Sequence, residues 1–326
     1  MRRLPIAFAL LMTPLVARAD ATAYLPAETD AVLTLRARQV AESELGKKVG
    51  SDLLKAALRA SKPAATAVEA TGIDPLKDFD LITVGMDLDK TDPPKPFALF
   101  EGKFDTKKVE ASVSAYMKDH PDKATAVTVG GKPAYKVPGA KPDEVMYTAI
   151  IDDTKMVVAP TEKDLEGAFA AAAGTRRPVI SKEMAGLLAR TKSTAPIFVQ
   201  AWVKGKFNEV KLPEKLQARV QSIEWATAAI GVTKDVTVTV TLSAPDQATA
   251  QQLSDLLGST IGLVRLQIVA AAEDQPELKP VADLLRSTKV APNGKTVVAT
   301  GSVKGEAIEK ALNPQPLPPK QSPKKK

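Results

Sequence analysis

The feature that most constrains this chain is a strand–aspartate–helix pattern that occurs twice, 140 residues apart. In residues 97–117 a half-apolar strand reaches Asp105 and a helix begins; in residues 236–257 an alternating strand reaches Asp246 and a second helix begins. The apolar positions of the two helices match at this shift: Val113, Tyr116 and Met117 in the first, Leu253, Leu256 and Leu257 in the second. The repeat predicts two related α+β units and favours an internal duplication. Chance similarity between two α+β segments is the alternative.

The ends of the two copies also match, but their middles do not. Residues 155–159 (KMVVA) and 295–299 (KTVVA) align at the same shift, and each leads into a predicted helix. Between these landmarks the first copy has two short predicted strands joined by Gly130-Gly131, a dipeptide suited to positive φ. The second copy has residues 258–272, for which the apolar spacing predicts a helix and leaves a strand as the alternative.

The domain organisation follows from these patterns. We predict a signal peptide over 1–19, a first unit over 20–175, a second unit over 176–312 and a tail over 313–326. The boundary is placed at Thr175-Arg176-Arg177-Pro178, after which the pattern of elements restarts. Each unit is expected to be an antiparallel-rich sheet with helices on one face, and the units could share one sheet. Residues 236–242 alternate valine or leucine with threonine, which is typical of a sheet with one covered face.

The first nineteen residues predict export. A basic start, an apolar run over residues 6–16 and the small-x-small site Ala17-Arg18-Ala19 form a secretory signal peptide, whose apolar run is too short to span a bilayer. Cleavage after Ala21 is the alternative. The mature protein is therefore expected to be periplasmic or extracellular, and not transmembrane.

The charge of the chain is concentrated at its ends. The formal net charge is +7, but the signal carries three arginines and the last fourteen residues carry four lysines, so the body between them is neutral. A neutral body gives no basic face, and no nucleic-acid partner is expected. With no cysteine, disulfides, thiolate catalysis and cysteine-bound metals are excluded. Aromatic residues are only 4% of the chain, which argues against a sugar- or base-stacking surface.

The tail is the one segment whose composition suggests a partner. Five prolines among its fourteen residues predict an extended, disordered chain. Lys320, Lys324, Lys325 and Lys326 are candidate contacts for an anionic surface such as an envelope polymer, an acidic lipid or a nucleic acid. A solubilising disordered end is the alternative.

No catalytic constellation is recognisable. The single histidine, His120, falls at a predicted helix end, and no Gly-x-Ser-x-Gly or phosphate-binding loop occurs. Neither acidic cluster has the order of a calcium loop, and turn formation is the favoured interpretation. The clusters are Asp74, Asp78 and Asp80, and Asp87, Asp89 and Asp92. We therefore assign no catalytic, cofactor-binding or metal-binding residue. The apolar residues 261–272 are expected to form a buried helix, with a membrane-surface helix as the alternative.

Several short segments resemble a broad group of uncharacterised exported bacterial proteins. They are the opening Tyr24-Leu25-Pro26-Ala27-Glu28, then Gly72-Ile73-Asp74-Pro75-Leu76, Gly102–Asp105 and Gly131-Lys132-Pro133-Ala134-Tyr135. The resemblance covers most of residues 24–312. It implies export and an α+β fold, and it implies no activity and no site residues.

The sequence thus favours an exported, non-enzymatic protein of the cell envelope with a binding or scaffold role. Its partner would be a protein, an envelope polymer or a small ligand bound between or beside the two units. A carboxylate-based or metal-assisted hydrolase is the first alternative. Anchoring to the envelope surface through the basic tail is the second.

Overall fold

A computed structural model describes residues 21–60, 62–89, 95–139, 141, 144–206 and 214–312. Within these residues the chain forms twelve strands, all in one sheet. The strands are β1 (Ala31–Leu35), β2 (Phe79–Met86), β3 (Phe97–Gly102), β4 (Thr125–Val129), β5 (Lys132–Pro138), β6 (Val145–Asp152), β7 (Lys155–Ala159), β8 (Ile197–Trp202), β9 (Trp225–Val232), β10 (Val236–Ser243), β11 (Lys289–Asn293) and β12 (Thr296–Val303).

Ten α-helices accompany the sheet in the same described residues. They are α1 (Ala37–Glu42), α2 (Glu44–Ala60), α3 (Lys62–Thr71), α4 (Thr106–Asp119), α5 (Glu162–Ala172), α6 (Lys182–Arg190), α7 (Glu214–Gln221), α8 (Gln247–Asp274), α9 (Lys279–Ser287) and α10 (Gly305–Leu312). A 3-10 turn, Pro276–Leu278, links α8 to α9. The predicted α+β class is confirmed.

The order of the strands is symmetric about the β1–β8 pair, except that β5 and β4 at one edge have no counterpart. It runs β11-β12-β10-β9-β8-β1-β2-β3-β7-β6-β5-β4, and all eleven neighbouring pairs are antiparallel. Reading outward from the central β1–β8 pair, β1-β2-β3-β7-β6 on one side corresponds to β8-β9-β10-β12-β11 on the other. We call β1–β7 the first half and β8–β12 the second half. The two predicted units therefore share one continuous sheet.

Local signals in the sequence form the predicted turns and caps. The carboxylate of Asp105 accepts a hydrogen bond from the Lys108 N–H (3.1 Å) at the start of α4, and that of Asp246 accepts one from the Thr249 N–H (2.7 Å) at the start of α8. Gly130 and Gly131 have φ of 55° and 76° in the β4–β5 turn, where a side chain would be strained.

The two faces of the sheet can be followed from strand to strand, because paired residues point to the same side. We call the face that carries Leu99, Val157, Gln200 and Thr239 the upper face. The opposite, lower face is the other set of alternating side chains, among them Phe100, Met156, Leu242 and Val297.

The first half of the sheet is covered on both faces. Leu165 of α5 and Met184 and Leu187 of α6 are buried in one core over the upper face, and Val109 and Val113 of α4 are buried in another over the lower face. The expectation of helices on one face is therefore wrong for this half. The reason is that β3 and β7 are apolar at successive positions, so both of their faces must be kept from water.

On the upper face, β8 and Trp225 at the start of β9 pack against α6 and the first half's core; beyond them the second half is covered on one face only. Leu253 of α8 packs with Val297 on the lower face, and Leu284 of α9 lies against Gly301 of β12. On the upper face Thr237, Thr300 and Ser302 are exposed. The threonine alternation of β10 thus marks an open face, as the sequence predicted.

The repeat is only partly matched by the structure. Leu99 pairs with Val157 across β3 and β7, whereas Thr239, 140 residues after Leu99, pairs with Thr300 and not with Val297. The KMVVA and KTVVA segments therefore differ in register, and Val157 and Val297 point to opposite faces. The closing helices also differ, since α5 lies on the upper face whereas α10 packs on α9 and α2. Internal duplication stays a prediction.

Residues 258–272 are helical, as predicted, but they are not buried. They form the outer part of α8, whose inner part is anchored by Ala250 and Leu253. Leu263 and Leu266 expose 66% and 68% of their surface. The prediction of a buried helix is wrong because apolar residues occur around much of the helix, while the sheet and α9 cover only one side.

Candidate functional site

The densest group of charged side chains lies at the junction of the two halves, at one end of the central strands. Asp30 immediately precedes β1, Asp87 and Asp89 follow β2, and Lys206 lies four residues after β8. Trp202 donates its backbone N–H to the Asp30 carbonyl (2.7 Å), which brings the end of β8 next to the start of β1. We call these four side chains the junction cluster.

Three carboxylates of the junction cluster lie close together, and two of them contact one ammonium group. The carboxylate oxygens of Asp30, Asp87 and Asp89 lie within 4.8 Å of one another. The Lys206 Nζ is 2.8 Å from Asp30 Oδ2 and also contacts Asp89 Oδ2. The side chains of Lys206 and Asp30 are only 14% and 18% exposed, whereas that of Asp89 is 71% exposed. The ammonium group is thus held in a partly buried pocket of negative charge.

Backbone groups fix the carboxylates of the junction cluster in place. Asp30 Oδ2 accepts the Leu88 N–H (3.2 Å), and Asp87 Oδ1 accepts the Asp89 N–H (2.9 Å). These bonds tie the loop after β2 to the start of β1. The cluster is therefore built into the ends of three neighbouring strands.

The pKa of Lys206 shows which charge state this arrangement favours. Burial lowers the pKa of Lys206, but hydrogen bonds and attraction from Asp30 and Asp89 outweigh burial, so the pKa is raised above the ordinary 10.5. The side chain is consequently protonated at neutral pH. A protonated lysine serves neither as a general base nor as a nucleophile.

Three oxygen ligands close together are the donor set that a hard cation such as Ca²⁺ or Mg²⁺ prefers. In the junction cluster the Lys206 ammonium supplies the positive charge that such a cation would bring. The ammonium group offsets part of the negative charge of the carboxylates and joins strands from the two halves.

The acidic cluster that precedes β2 forms a turn. Asp78 Oδ2 accepts the Asp74 N–H (2.8 Å), and Asp74 Oδ1 accepts the Leu76 N–H (3.1 Å). Hydrogen bonds from the Lys77 side chain and from Leu76 lower the pKa of Asp74 despite some burial. Asp80 pairs with Arg38 instead. The structure thus agrees with turn formation for this cluster.

Of the remaining residues that the sequence singled out, the structure describes His120, and the others lie outside the described residues. His120 is exposed at the end of α4, with its ring 4.5 Å from that of Tyr116, centroid to centroid, far from the junction cluster in the sequence and the sheet. Asp92 lies outside the described residues. So do the tail lysines Lys320, Lys324, Lys325 and Lys326, whose contact with an anionic surface stays a prediction.

Sequence reasoning identified Asp87 and Asp89 but missed Asp30 and Lys206. Asp30 ends the Glu-Thr-Asp segment before β1 and Lys206 ends Lys204-Gly205-Lys206 after β8. Neither segment has a distinctive spacing. The only usable signal was that Asp30 directly precedes a strand and Lys206 lies shortly after one, which becomes informative once β1 and β8 are known to pair.

Among the described residues no cleft separates β1 from β8 at the junction, because these strands are hydrogen-bonded to each other. Two shallow depressions lie elsewhere in the first half. One is beside Gly131 and Pro133 at the β4–β5 turn, and the other is beside Phe104, Asp105 and Asp153. Neither depression lies at the junction, and a ligand site between or beside the two units stays a prediction.

The second candidate site is a surface, the outer face of α8. Side chains at spacings of three and four residues share this face; they are Leu256, Ser259, Leu263, Leu266 and Ala270, and we call them the α8 stripe. The side chains that face the sheet, such as Leu253 and Leu257, belong to the opposite side of the helix. The stripe has no covering element among the described residues.

By length and composition alone, α8 is also the one helix in the described part of the chain that could cross a membrane. Its apolar residues are mostly uncovered. Buried soluble helices pass the same test of length and composition, but they do so with their side chains packed inside. The exposure of the helix, rather than its hydropathy, therefore makes it a candidate interaction surface.

Comparisons with family models, with curated proteins and with solved structures find no match for this chain.

Proposed function

We propose that the protein is an exported, non-enzymatic component of the cell envelope that acts by binding a protein partner through the α8 stripe. The exposure of Leu263 and Leu266 is the observation that carries this proposal. Exposed leucines on one side of a helix cost solubility, and contiguous apolar patches on soluble proteins commonly mark interaction surfaces. Export rests on residues 1–19, which lie outside the described residues.

The junction cluster supports a non-enzymatic role. Lys206 satisfies the carboxylates that would otherwise be the best candidates for acid–base or metal chemistry. The single histidine is at a helix end and not beside this cluster. Structural ion pairs of this kind stabilise a junction without acting on a substrate.

The test of the non-enzymatic role is a substrate screen with the mature protein. Purified chain lacking residues 1–19 would be incubated with ester, phosphate and glycoside substrates, with and without Mg²⁺, Ca²⁺ or Mn²⁺. We expect no turnover above that of heat-treated protein. Turnover that is abolished by Asp30→Asn or Asp87→Asn would overturn the proposal.

The test of export is fractionation of cells that express the full chain. We expect removal of the first nineteen residues, or of the first twenty-one, and release of the mature protein by osmotic shock. A chain with residues 1–19 deleted is the control and should stay in the cytoplasm. Retention of an unprocessed full chain in the cytoplasm would contradict export.

The carboxylates of Asp30, Asp87 and Asp89 lie close together. Their proximity favours a second candidate function, that of a metal-assisted hydrolase. In this alternative a divalent cation displaces the Lys206 ammonium group. The distinguishing measurement is thermal unfolding with millimolar Ca²⁺, Mg²⁺ or Mn²⁺. A large rise in Tm for the unaltered protein would favour the hydrolase, and an unchanged Tm favours the proposed binding role.

A further inference from the structure

We infer that the partner of the α8 stripe is a second copy of this chain, docked helix to helix. This inference rests on the proposed binding role of α8. It goes further by specifying the occupant and its orientation.

The spacing of the α8 stripe is that of a helix-packing seam. Leu256, Ser259, Leu263, Leu266 and Ala270 are separated by three, four, three and four residues, the a and d positions of a heptad repeat. Such a narrow seam fits between the side chains of another helix. The opposite side of α8 packs on its own sheet at Leu253 and Leu257, so the stripe is the side that can accept a second helix along its length.

An antiparallel arrangement makes the seam complementary to itself. With the two helices centred near Ile261, Leu256 of one copy faces Leu266 of the other, and Ser259 faces Leu263. Ser259, the small residue near the centre of the seam, then meets a large one, and Ala270 at its end faces Gln252. This arrangement is compatible with knobs-into-holes packing. The contact is isologous, so it closes as a dimer with twofold symmetry and does not propagate into a filament.

The charges on α8 favour a second copy over a lipid surface. Between residues 256 and 272 the only charged residue is Arg265, and acidic residues stand at the two ends, Asp255 on one side and Glu273 and Asp274 on the other. Helices that lie on anionic membranes carry clusters of lysine and arginine on their polar face. In the antiparallel register Asp255 faces Gln267 of the other copy, so no like charges oppose each other.

The size of the seam predicts weak association. Residues 256–270 extend over about 22 Å of helix. A contact between two helices of this length is smaller than the interfaces of permanent dimers. We therefore expect a monomer–dimer equilibrium that depends on concentration, and not an obligate dimer.

The experiment is sedimentation equilibrium of the mature protein from about 5 µM to about 500 µM, a range that brackets weak association. The test variant is Leu263→Glu with Leu266→Glu, which places carboxylates at the seam without disturbing any buried contact. The matched control is Leu53→Glu with Val179→Glu, which changes two other exposed apolar residues by the same charge. We expect dimerisation in the unaltered protein and the control, and at least about tenfold weaker dimerisation in the test variant.

Cross-linking tests the location and orientation independently. The chain has no cysteine, so Ser259→Cys introduces a single reactive thiol on the seam. A short bismaleimide should link two copies of this variant. Ser51→Cys, exposed on α2, is the control and should not be linked.

Three outcomes would overturn the inference. They are a monomer at every concentration, dimerisation that is equal in the test variant and the control, and equal cross-linking at Ser259→Cys and Ser51→Cys. Flotation with neutral and anionic lipid vesicles distinguishes failure of the second-copy inference from failure of the proposed protein-binding function. A monomer that binds vesicles only through Leu263 and Leu266 would replace both the second copy and the protein partner with a lipid surface. A monomer that binds no vesicles leaves the proposed role to a different protein partner.

Discussion

Strands β3 and β10 occupy equivalent places in the two halves of the sheet but face different surroundings. In β3 the run Phe97-Ala98-Leu99 is buried on both faces. In β10 valine and leucine point down to α8, while threonine points up to solvent. Two strands at equivalent places in the sheet can therefore be covered on both faces in one half and on one face in the other.

The difference lies in which helices are available to cover each half. The upper face of the first half is closed by α5 and α6, and α6 does so although it follows the predicted domain boundary. In the second half α10 packs on α9 and α2 and leaves the upper face open. Two halves with one strand order thus need not be two equivalent folding units.

The largest expected effect comes from comparing Leu99 with Thr239, which hold matching positions on the upper face of β3 and β10. Leu99→Ala removes a side chain that is 1% exposed and should lower the free energy of unfolding by about 2–5 kcal/mol. Thr239→Ala removes a half-buried side chain from an open face and should change it by less than about 0.5 kcal/mol. Urea unfolding followed by circular dichroism measures both.

The same experiment shows whether the halves unfold together. The two tryptophans, Trp202 and Trp225, pair across β8 and β9 and pack against the core that contains Leu99, so fluorescence reports the junction of the two halves. Because the sheet is continuous, we expect Leu99→Ala to shift the fluorescence and circular dichroism transitions equally. Equal costs for Leu99→Ala and Thr239→Ala would contradict the contrast between the halves. Separate transitions would show that the junction does not couple them.

The next effect is at the junction itself. Lys206→Met removes the ammonium group and leaves the carboxylates of Asp30 and Asp89 without it in a partly buried site, which should cost about 1–3 kcal/mol. Lys204→Met is the matched control, because Lys204 forms an exposed ion pair with Glu224 (2.7 Å), and exposed pairs contribute about 0–1 kcal/mol. Denaturant unfolding of both variants measures the difference. A Lys206→Met variant as stable as Lys204→Met would mean that the cluster does not hold the halves together.

Alkaline pH should reproduce part of the effect of Lys206→Met. Because the pKa of Lys206 is raised in the folded state, its stabilisation is present in full below the ordinary value of 10.5 and is lost as the pH rises through the higher folded value. We expect the difference in the free energy of unfolding between the unaltered protein and Lys206→Met to be constant from pH 7 to about 10 and to shrink above that pH. The comparison with the variant cancels the titration of other lysines. A difference that persists unchanged up to pH 12 would contradict a role for the ammonium charge.

These contrasts show which parts of the structure the sequence could predict. The alternation of β10 predicted an open face, because a period of two directly reports one covered side. The continuous apolar run of β3 is an equally local signal, and it indicates burial on both faces. The expectation of helices on one face of each repeated unit did not take this run into account. The helix starts at Asp105 and Asp246 and the Gly130-Gly131 turn were predicted because each depends on a few adjacent residues.

What the sequence could not predict depends on contacts between distant segments. The junction cluster combines residues 30, 87, 89 and 206, and only the β1–β8 pairing brings Lys206 to Asp30. The likeness of KMVVA and KTVVA was misleading because three residues of register separate the two strands, and an odd shift reverses the side to which a side chain points. The exposure of α8 was missed because an apolar run does not reveal how many of its sides the fold can cover.

The smallest expected effect is at the feature in which the halves agree most closely, the aspartate that caps the helix after β3 or β10. Asp105→Ala and Asp246→Ala each remove the side chain that caps the first turn of a helix at an exposed start. Backbone and side-chain hydrogen bonds from Thr249 lower the pKa of Asp246, so its capping is present above the ordinary 3.8 and is lost as the pH falls through the lower folded value. We expect small and equal decreases in Tm at pH 7 for the two variants, each below that of Lys206→Met. If instead Asp246→Ala were much more damaging, α8 would depend on its cap rather than on Leu253 and Val297, and the agreement between the halves would be limited to the order of their strands.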